Sequence, residues 1–171
     1  HEDPKKINGA ILRFPKGDPM ASELLSNSIE RAQNLSKWGQ LGPLLLTEKL
    51  KGKHYNQHLG DTASFYPIHW METHLLWLPG KADIVRSRLK GALFLHMWNS
   101  IFYKLGLNPT RRPPNGSFLA EILSDCLTDL QPDDVSLDER IANVKAWLDR
   151  RPNFPKFYEN VLGRDWMDLQ P

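Results

Sequence analysis

The chain has 171 residues, enough for one domain or for a large part of one. Hydrophobic residues make up 40% and charged residues 25%, which is ordinary for a globular protein and excludes collagen-like and disordered classes. A formal charge of only +2 disfavours binding to nucleic acid through phosphate neutralisation. No apolar run approaches the ~18 residues that cross a bilayer.

The N-terminal part of the sequence predicts one strand and two helices. The apolar run over residues 6–14 is short enough for a buried strand, and a Pro/Gly-rich turn follows it. Residues 20–37 have apolar residues at helical spacing, and residues 43–51 predict a short helix that begins at a proline. The apolar face of the longer helix consists of Leu24, Leu25, Ser28, Ile29, Ala32 and Leu35.

The middle of the sequence predicts a sheet. Residues 63–70 are aromatic and predict a strand or extended loop, which Pro67 places at an edge. Residues 81–90 are compatible with a helix. Residues 91–99 form the most strand-like run, and both of its faces are largely apolar, as in the central strand of an α/β sheet. One predicted face carries Ala92, Phe94, His96 and Trp98.

The C-terminal part predicts helices. An apolar stripe runs over residues 118–130 and includes Cys126, which we expect to be a core residue rather than a nucleophile. Ser136 and Glu139 have the spacing of a capping box at the start of another helix. We expect that helix to bury Ile141, Val144 and Leu148.

His96 is the most specific candidate for chemistry. It lies near the end of the predicted central strand and is followed by Trp98 and Asn99. A neutral imidazole at such a place can ligate a divalent metal or donate a hydrogen bond to a diphosphate. The alternative is a core histidine that bonds to a backbone carbonyl. The six tryptophans suit a site that stacks on sugar rings, although for Trp70 and Trp77 core packing is the favoured interpretation.

Four segments, taken in chain order, resemble a known family. They read NGAIL (8–12), WGQLGPLLLT (38–47), FYPI (65–68) and HMWN (96–99). Together they resemble the downstream half of the DXD-type glycosyltransferases, the group that contains the α-1,4-glycosyltransferase conserved region and the sugar-binding-region glycosyltransferases. The resemblance covers roughly residues 6 to 100. Each segment alone is weakly specific, whereas four in this order are fairly specific.

The resemblance implies a GT-A fold of the α/β class, a nucleotide-sugar donor and a divalent metal, usually manganese. In such enzymes the metal bridges the donor diphosphate to the carboxylates of the DXD motif. Carried over to this chain, the metal ligand is His96. The residues expected to bind donor or acceptor are Asn8, Trp38, Gly42, Pro43, Thr47, Trp98 and Asn99.

The chain departs from the family pattern because no two aspartates lie two positions apart, so it has no DXD motif. In the family that motif lies upstream of the strand that contains Asn8. We therefore expect this sequence to be the C-terminal half of a larger catalyst, with the metal carboxylates supplied from upstream. The expected division is residues 1–106, the C-terminal half of the catalytic domain, and residues 107–171, a helical extension.

Two functions remain open at this point, besides a helical accessory domain around residues 117–149 that would leave the first hundred residues unexplained. The first is transfer of a hexose from a nucleotide sugar to a saccharide or lipid-linked acceptor, in polysaccharide or glycolipid synthesis. The second is a non-catalytic α/β module that binds carbohydrate or protein. The single cysteine and the lack of a membrane anchor favour the cytoplasm, with membrane association as an added expectation. The Golgi lumen is the alternative if the source is eukaryotic.

Overall fold

The structure is a computed structural model that describes residues 6–51, 55, 59–108, 110–131, 135–162 and 164–171. Within these residues the backbone forms α-helices and short 3-10 helices and no β-strand. The α-helices are α1 (Pro19–Ala32), α2 (Pro43–Leu50), α3 (Thr62–Phe65), α4 (Ala82–Arg88), α5 (Asn99–Lys104), α6 (Phe118–Ile122), α7 (Leu137–Asp149) and α8 (Phe154–Leu162). The 3-10 helices are Trp70–Leu76, Ser124–Asp129 and Trp166–Leu169.

The chain divides into two compact units. Unit 1 is His1–Gly60 and unit 2 is Asp61–Pro171. None of the helices in the described part of the chain has both the length and the apolar character needed to span a membrane.

Unit 1 contains α1 and α2 around a small core. The carboxylate of Asp18 accepts a hydrogen bond from Met20 N (2.8 Å) and so caps α1, and Pro19 occupies the first helical position. A second proline begins α2 in the same way. The buried residues of this core are Met20, Leu46 and Leu50, and the partly buried Ile7, Phe14, Leu24 and Tyr55 pack against them.

Unit 2 is organised around the 3-10 helix Trp70–Leu76, every residue of which is buried. Helices α4, α5 and α6 all contact it. Trp70 also meets Trp147 and Phe154 edge to face, which attaches α7 and α8 to the same core. The described residues of 61–171 therefore share one hydrophobic core, in which aromatic side chains pack among a majority of aliphatic ones.

The prediction of an α/β GT-A fold is wrong for the described residues. The predicted central strand over residues 91–99 is irregular, because its backbone has no strand partner. Leu93 N and Phe94 N both donate to one carbonyl, Ser64 O, at 2.8 and 3.3 Å, instead of forming a ladder. At the end of this segment Trp98 adopts φ +50°, and α5 starts at the next residue.

The predicted strand over residues 6–14 is also absent, and residues 63–70, predicted as a strand or extended loop, contain no strand. Ile7 N donates to the side-chain oxygen of Thr47 (2.8 Å). A side chain of α2 thus accepts the hydrogen bond that a neighbouring strand would accept in a sheet. Residues 63–70 include the end of α3 and the beginning of the buried 3-10 helix. At residues 63–70 the short apolar run is equally compatible with buried helical turns, which periodicity does not distinguish from a strand. At residues 6–14 the run is not buried, since Ile11 and Leu12 are 41% and 50% exposed.

The predicted helices are confirmed in part. Helix α2 and helix α4 lie within their predicted ranges, and Ser136 Oγ accepts a hydrogen bond from Glu139 N (3.2 Å) at the start of α7. Val144 and Leu148 are buried as expected, whereas Ile141 is half-buried. Cys126, expected in the core, is exposed. The apolar stripe around it gives way to the 3-10 helix Ser124–Asp129, which changes the helical spacing.

Candidate functional site

Two of the motif segments lie side by side in unit 2. The paired amides of Leu93 and Phe94 bond to Ser64 O, directly before the FYPI segment. At the other end, the indole N–H of Trp98 donates to Ile68 O (2.8 Å). The HMWN segment is therefore fixed along the FYPI segment, although the two are 30 residues apart in the chain.

Their side chains form what we name the aromatic cluster, which consists of Phe65, Tyr66, Phe94, His96 and Trp98. The His96 and Trp98 rings lie 4.3 Å apart, nearly perpendicular to each other. Tyr66 meets both, at 5.4 and 5.8 Å between ring centroids. Phe65 stacks on Phe94 at 5.6 Å. The three longer distances are typical of favourable aromatic pairs, and the His96 and Trp98 rings lie closer than that range.

His96 is half-buried within this cluster. Burial lowers the pKa of its imidazole below the ordinary value of 6.5, because the charged form loses hydration. The ring is therefore neutral at pH 7, with one nitrogen that donates a hydrogen bond and one that accepts. Such a group can bond to a diphosphate oxygen or to a sugar hydroxyl.

Trp98 has a strained backbone. Among the described residues, it is the one residue other than glycine with positive φ. Such a conformation costs free energy in a bulky residue and persists when the surroundings enforce it, which is common at functional sites. Trp98 is half-buried, and the next residue, Asn99, is exposed at the start of α5.

In unit 1 the predicted site residues centre on Thr47. Its hydroxyl donates to Pro43 O (2.6 Å) and accepts from Ile7 N (2.8 Å), so it joins α2 to the N-terminal segment. Beside it, Asn8 Oδ1 accepts from Ala10 N (2.9 Å) and forms a local turn. The structure brings Asn8, Pro43 and Thr47 together, and their role in binding a substrate stays a prediction.

The turn before α2 carries the other two predicted residues. Gly42 lies at the N-terminus of α2, where its carbonyl accepts from Leu46 N (2.9 Å). Trp38 is 88% exposed, so most of its indole is available for contact. A tryptophan this exposed contributes little to the core and suits stacking on a ligand.

Comparison with protein families decides the identity of the chain. The model of the family described as alpha 1,4-glycosyltransferase conserved region matches residues 13–128, about two thirds of the chain. The chain belongs to this alpha 1,4-glycosyltransferase family. Searches of curated proteins and of solved structures gave no significant match.

The matched region contains most of the predicted site residues, whose roles stay predictions. It includes the segments 38–47, 65–68 and 96–99, and therefore the whole aromatic cluster. It begins after Asn8 and ends before α7 and α8. The resemblance to the glycosyltransferase family that the motifs indicated is confirmed. Membership in this family supports a role in glycosyl transfer.

The described residues do not by themselves form the expected metal site. Among them, no group of three or more His, Cys, Asp or Glu side chains could hold a metal ion. The ring contacts of His96 are with Tyr66 and Trp98, neither of which is a ligand for manganese. We therefore assign no chemical step to a metal. The role of His96 as a metal ligand stays a prediction, because its carboxylate partners were expected from outside this sequence.

The sequence analysis missed a buried carboxylate, that of Glu72. Its side chain is fully buried and accepts hydrogen bonds from His69 N (2.7 Å) and from Tyr158 Oη (2.6 Å). Arg88 and Arg164 also pair with it, one at each oxygen. The signal in the sequence was a single acidic residue inside an apolar run, because buried carboxylates require partners.

Proposed function

We propose that this chain takes part in the transfer of a hexose from a nucleotide-sugar donor to a saccharide or glycolipid acceptor. The observation that carries the proposal is the aromatic cluster, in which two motif segments of the matched family region meet around a neutral histidine. The family supports glycosyl transfer in general. The donor class and the acceptor class are our proposal.

The cluster suits recognition of a sugar. Trp98 and Tyr66 present large apolar rings, and both are only half-buried. The C–H faces of hexoses pack on such rings, while polar groups nearby fix the orientation. Asn99, exposed beside Trp98, supplies an amide that can donate to and accept from sugar hydroxyls.

His96 would act on the polar part of the donor or acceptor. In the transfer, the bond from the anomeric carbon to the diphosphate breaks and a bond to the acceptor oxygen forms. The proton of the acceptor hydroxyl passes to the departing diphosphate, which leaves as the nucleoside diphosphate. A neutral imidazole that donates to the leaving diphosphate stabilises the charge that develops there.

The test is a transfer assay on the protein that contains this chain, with a panel of nucleotide sugars and detection of the released nucleoside diphosphate. We expect His96→Ala to reduce the rate roughly 100-fold, the lower range for loss of one positioned polar group. His96→Asn, which keeps a donor, should retain part of the activity. Leu93→Ala is the matched control, since this residue lies on the same segment and is 68% exposed. Full activity in folded His96→Ala would reject the role of His96.

One observation favours a second function, a module that binds carbohydrate without turnover. Trp38 is 88% exposed, as stacking residues of carbohydrate-binding surfaces must be. In that case an oligosaccharide should bind with a change in tryptophan fluorescence that Trp38→Ala abolishes. No nucleoside diphosphate would be released from any donor in the panel.

A further inference from the structure

Arg164 connects the aromatic cluster to a part of the chain outside the family match. It follows α8, whereas the match ends at residue 128. One nitrogen of its guanidinium pairs with Glu72, and the other donates to Pro67 O at 3.0 Å. A planar guanidinium can make both bonds at once because its donors point in fixed directions.

The carbonyl of Pro67 lies at the centre of the FYPI segment. The preceding residue, Tyr66, contributes its ring to the aromatic cluster. The following residue, Ile68, accepts the hydrogen bond from the Trp98 indole. The side chains of Arg164 and Trp98 thus donate hydrogen bonds to two consecutive carbonyls of the FYPI segment, those of Pro67 and Ile68. Movement of this segment would move both Tyr66 and Trp98.

Glu72 fixes Arg164 in its place. Its buried carboxylate accepts from four donors, so both oxygens have partners. The donors are His69 N, Tyr158 Oη, Arg88 Nη1 and Arg164 Nη1. Charge-assisted bonds in a buried setting hold their geometry firmly, because no water is available to replace a lost partner.

Arg88 provides the natural contrast. It pairs with the same Glu72 carboxylate, and its other nitrogen donates to Asp168 Oδ2 at 2.8 Å. Both arginines therefore neutralise Glu72, but their second bonds differ. Arg164 reaches the FYPI segment, whereas Arg88 reaches the 3-10 helix near the C-terminus.

We propose that Arg164 is a positioning residue for the aromatic cluster, through its bond to Pro67 O. The residues after the family match thereby set the geometry at the motif residues Tyr66 and Trp98. The effect on sugar transfer rests on the function proposed above. The effect on the cluster itself does not, so the two can be tested separately.

The experiment compares Arg164→Ala with Arg88→Ala in the full chain. Each variant removes one cation from Glu72, so we expect both to lower the thermal midpoint. The specific readout is the Trp98 indole N–H signal in the NMR spectrum, assigned from the Trp98→Phe spectrum. We expect its chemical shift to change and its hydrogen exchange to accelerate at least tenfold in Arg164→Ala. In Arg88→Ala both should match the parent chain.

Arg164→Lys keeps the charge beside Glu72 but cannot make the two diverging bonds. We expect it to fold and still to show the altered Trp98 signal, and it decides the outcome if Arg164→Ala does not fold. An unchanged Trp98 signal, or an equal change in Arg88→Ala, would overturn the proposal. So would a loss of folding in both Arg164 variants while Arg88→Ala folds, since Arg164 would then have a general structural role.

Transfer kinetics separate this proposal from the proposed function. If the parent protein transfers sugar, Arg164→Lys should change both kinetic constants. The factor by which the KM for the nucleotide sugar rises should be about ten times the factor by which kcat falls, since a displaced cluster weakens binding first. If the parent protein transfers none, the proposed function fails. The Trp98 signal then still decides whether Arg164 positions the cluster.

Discussion

The two units of the chain bury their apolar residues very differently. In unit 2, nineteen buried hydrophobic residues of the described chain form one core, which includes Trp77, Phe102 and Tyr158. In unit 1, the corresponding cluster of described residues has three, Met20, Leu46 and Leu50. Yet α1, the longest helix of unit 1, is more strongly amphipathic in sequence than α7, the longest helix of unit 2.

The comparison shows what an apolar stripe does and does not predict. In α1, the stripe residues Leu25 and Ile29 are each 63% exposed. Helix α2 has eight residues and covers only one side of α1, where Met20 lies. Periodicity predicted the helix but extended it to residue 37, so that the stripe residue Leu35 lies beyond the end of α1 at Ala32. Burial depends on whether another element of the unit is there to cover the stripe.

The two units also differ in how deeply their charged residues are buried. The ion pair of Arg31 with Glu48 in unit 1 lies at the surface, where water and salt screen it and its contribution is small. Glu72 in unit 2 is fully buried between two arginines. Removal of a partner there would leave a buried charge uncompensated, which is strongly destabilising. Unit 2 therefore depends on a buried ion pair, whereas the Arg31–Glu48 pair of unit 1 is exposed to solvent.

The largest expected effect comes from truncating one leucine in each core. We expect Leu75→Ala, in the centre of unit 2, to lower the free energy of unfolding by about 3–5 kcal/mol, since it leaves a cavity that close packing cannot fill. Leu46→Ala in unit 1 should cost about 2 kcal/mol, because a small core relaxes more easily. Regional hydrogen exchange measures each unit separately. Equal losses would show that the two cores are equally well packed.

Acid should destabilise unit 2. Burial lowers the pKa of His74 to about 4, while the unfolded chain has the ordinary value of 6.5. The unfolded state therefore binds the proton first, and stability is lost as the pH falls from about 6.5 towards 4. From pH 7 to pH 5 this amounts to about 2 kcal/mol for His74. Buried His69 contributes in the same direction, since burial lowers its pKa to about 2.

Urea unfolding at pH 7 and pH 5 measures this effect, and His74→Gln provides the control. Glutamine can still donate to Leu169 O, which His74 Nε2 contacts at 2.7 Å. We expect the variant to lose about half of the pH dependence of the parent chain. An unchanged pH dependence in the variant would mean that His74 does not titrate as its burial implies.

The smallest effect is expected at the exposed stripe of α1. Leu25→Ser should change the free energy of unfolding by no more than about 0.5 kcal/mol, because the side chain is already largely in water. Leu24→Ser, one position away and packed against the unit 1 core, should cost about 1 kcal/mol. A larger loss for Leu25→Ser than for Leu24→Ser would contradict the assigned orientation of α1.

Local signals in the sequence predicted the local features well. The proline at the start of α2 and the serine cap of α7 act within one helical turn, so their effect is fixed by neighbouring residues. The alternation of side chains over residues 91–99 wrongly predicted a strand. It nevertheless put Phe94, His96 and Trp98 on one side, and all three contact Phe65 or Tyr66.

The sequence by itself determined the family, which the comparison with known families confirmed over residues 13–128. Only the tertiary structure decided that these residues fold without a sheet, and that Glu72 meets Arg164 across 92 positions of the chain. Helical spacing and capping act over a few residues, so a sequence displays them directly. A buried ion pair or a strand ladder depends on which distant segments meet, and that is set by packing of the whole core.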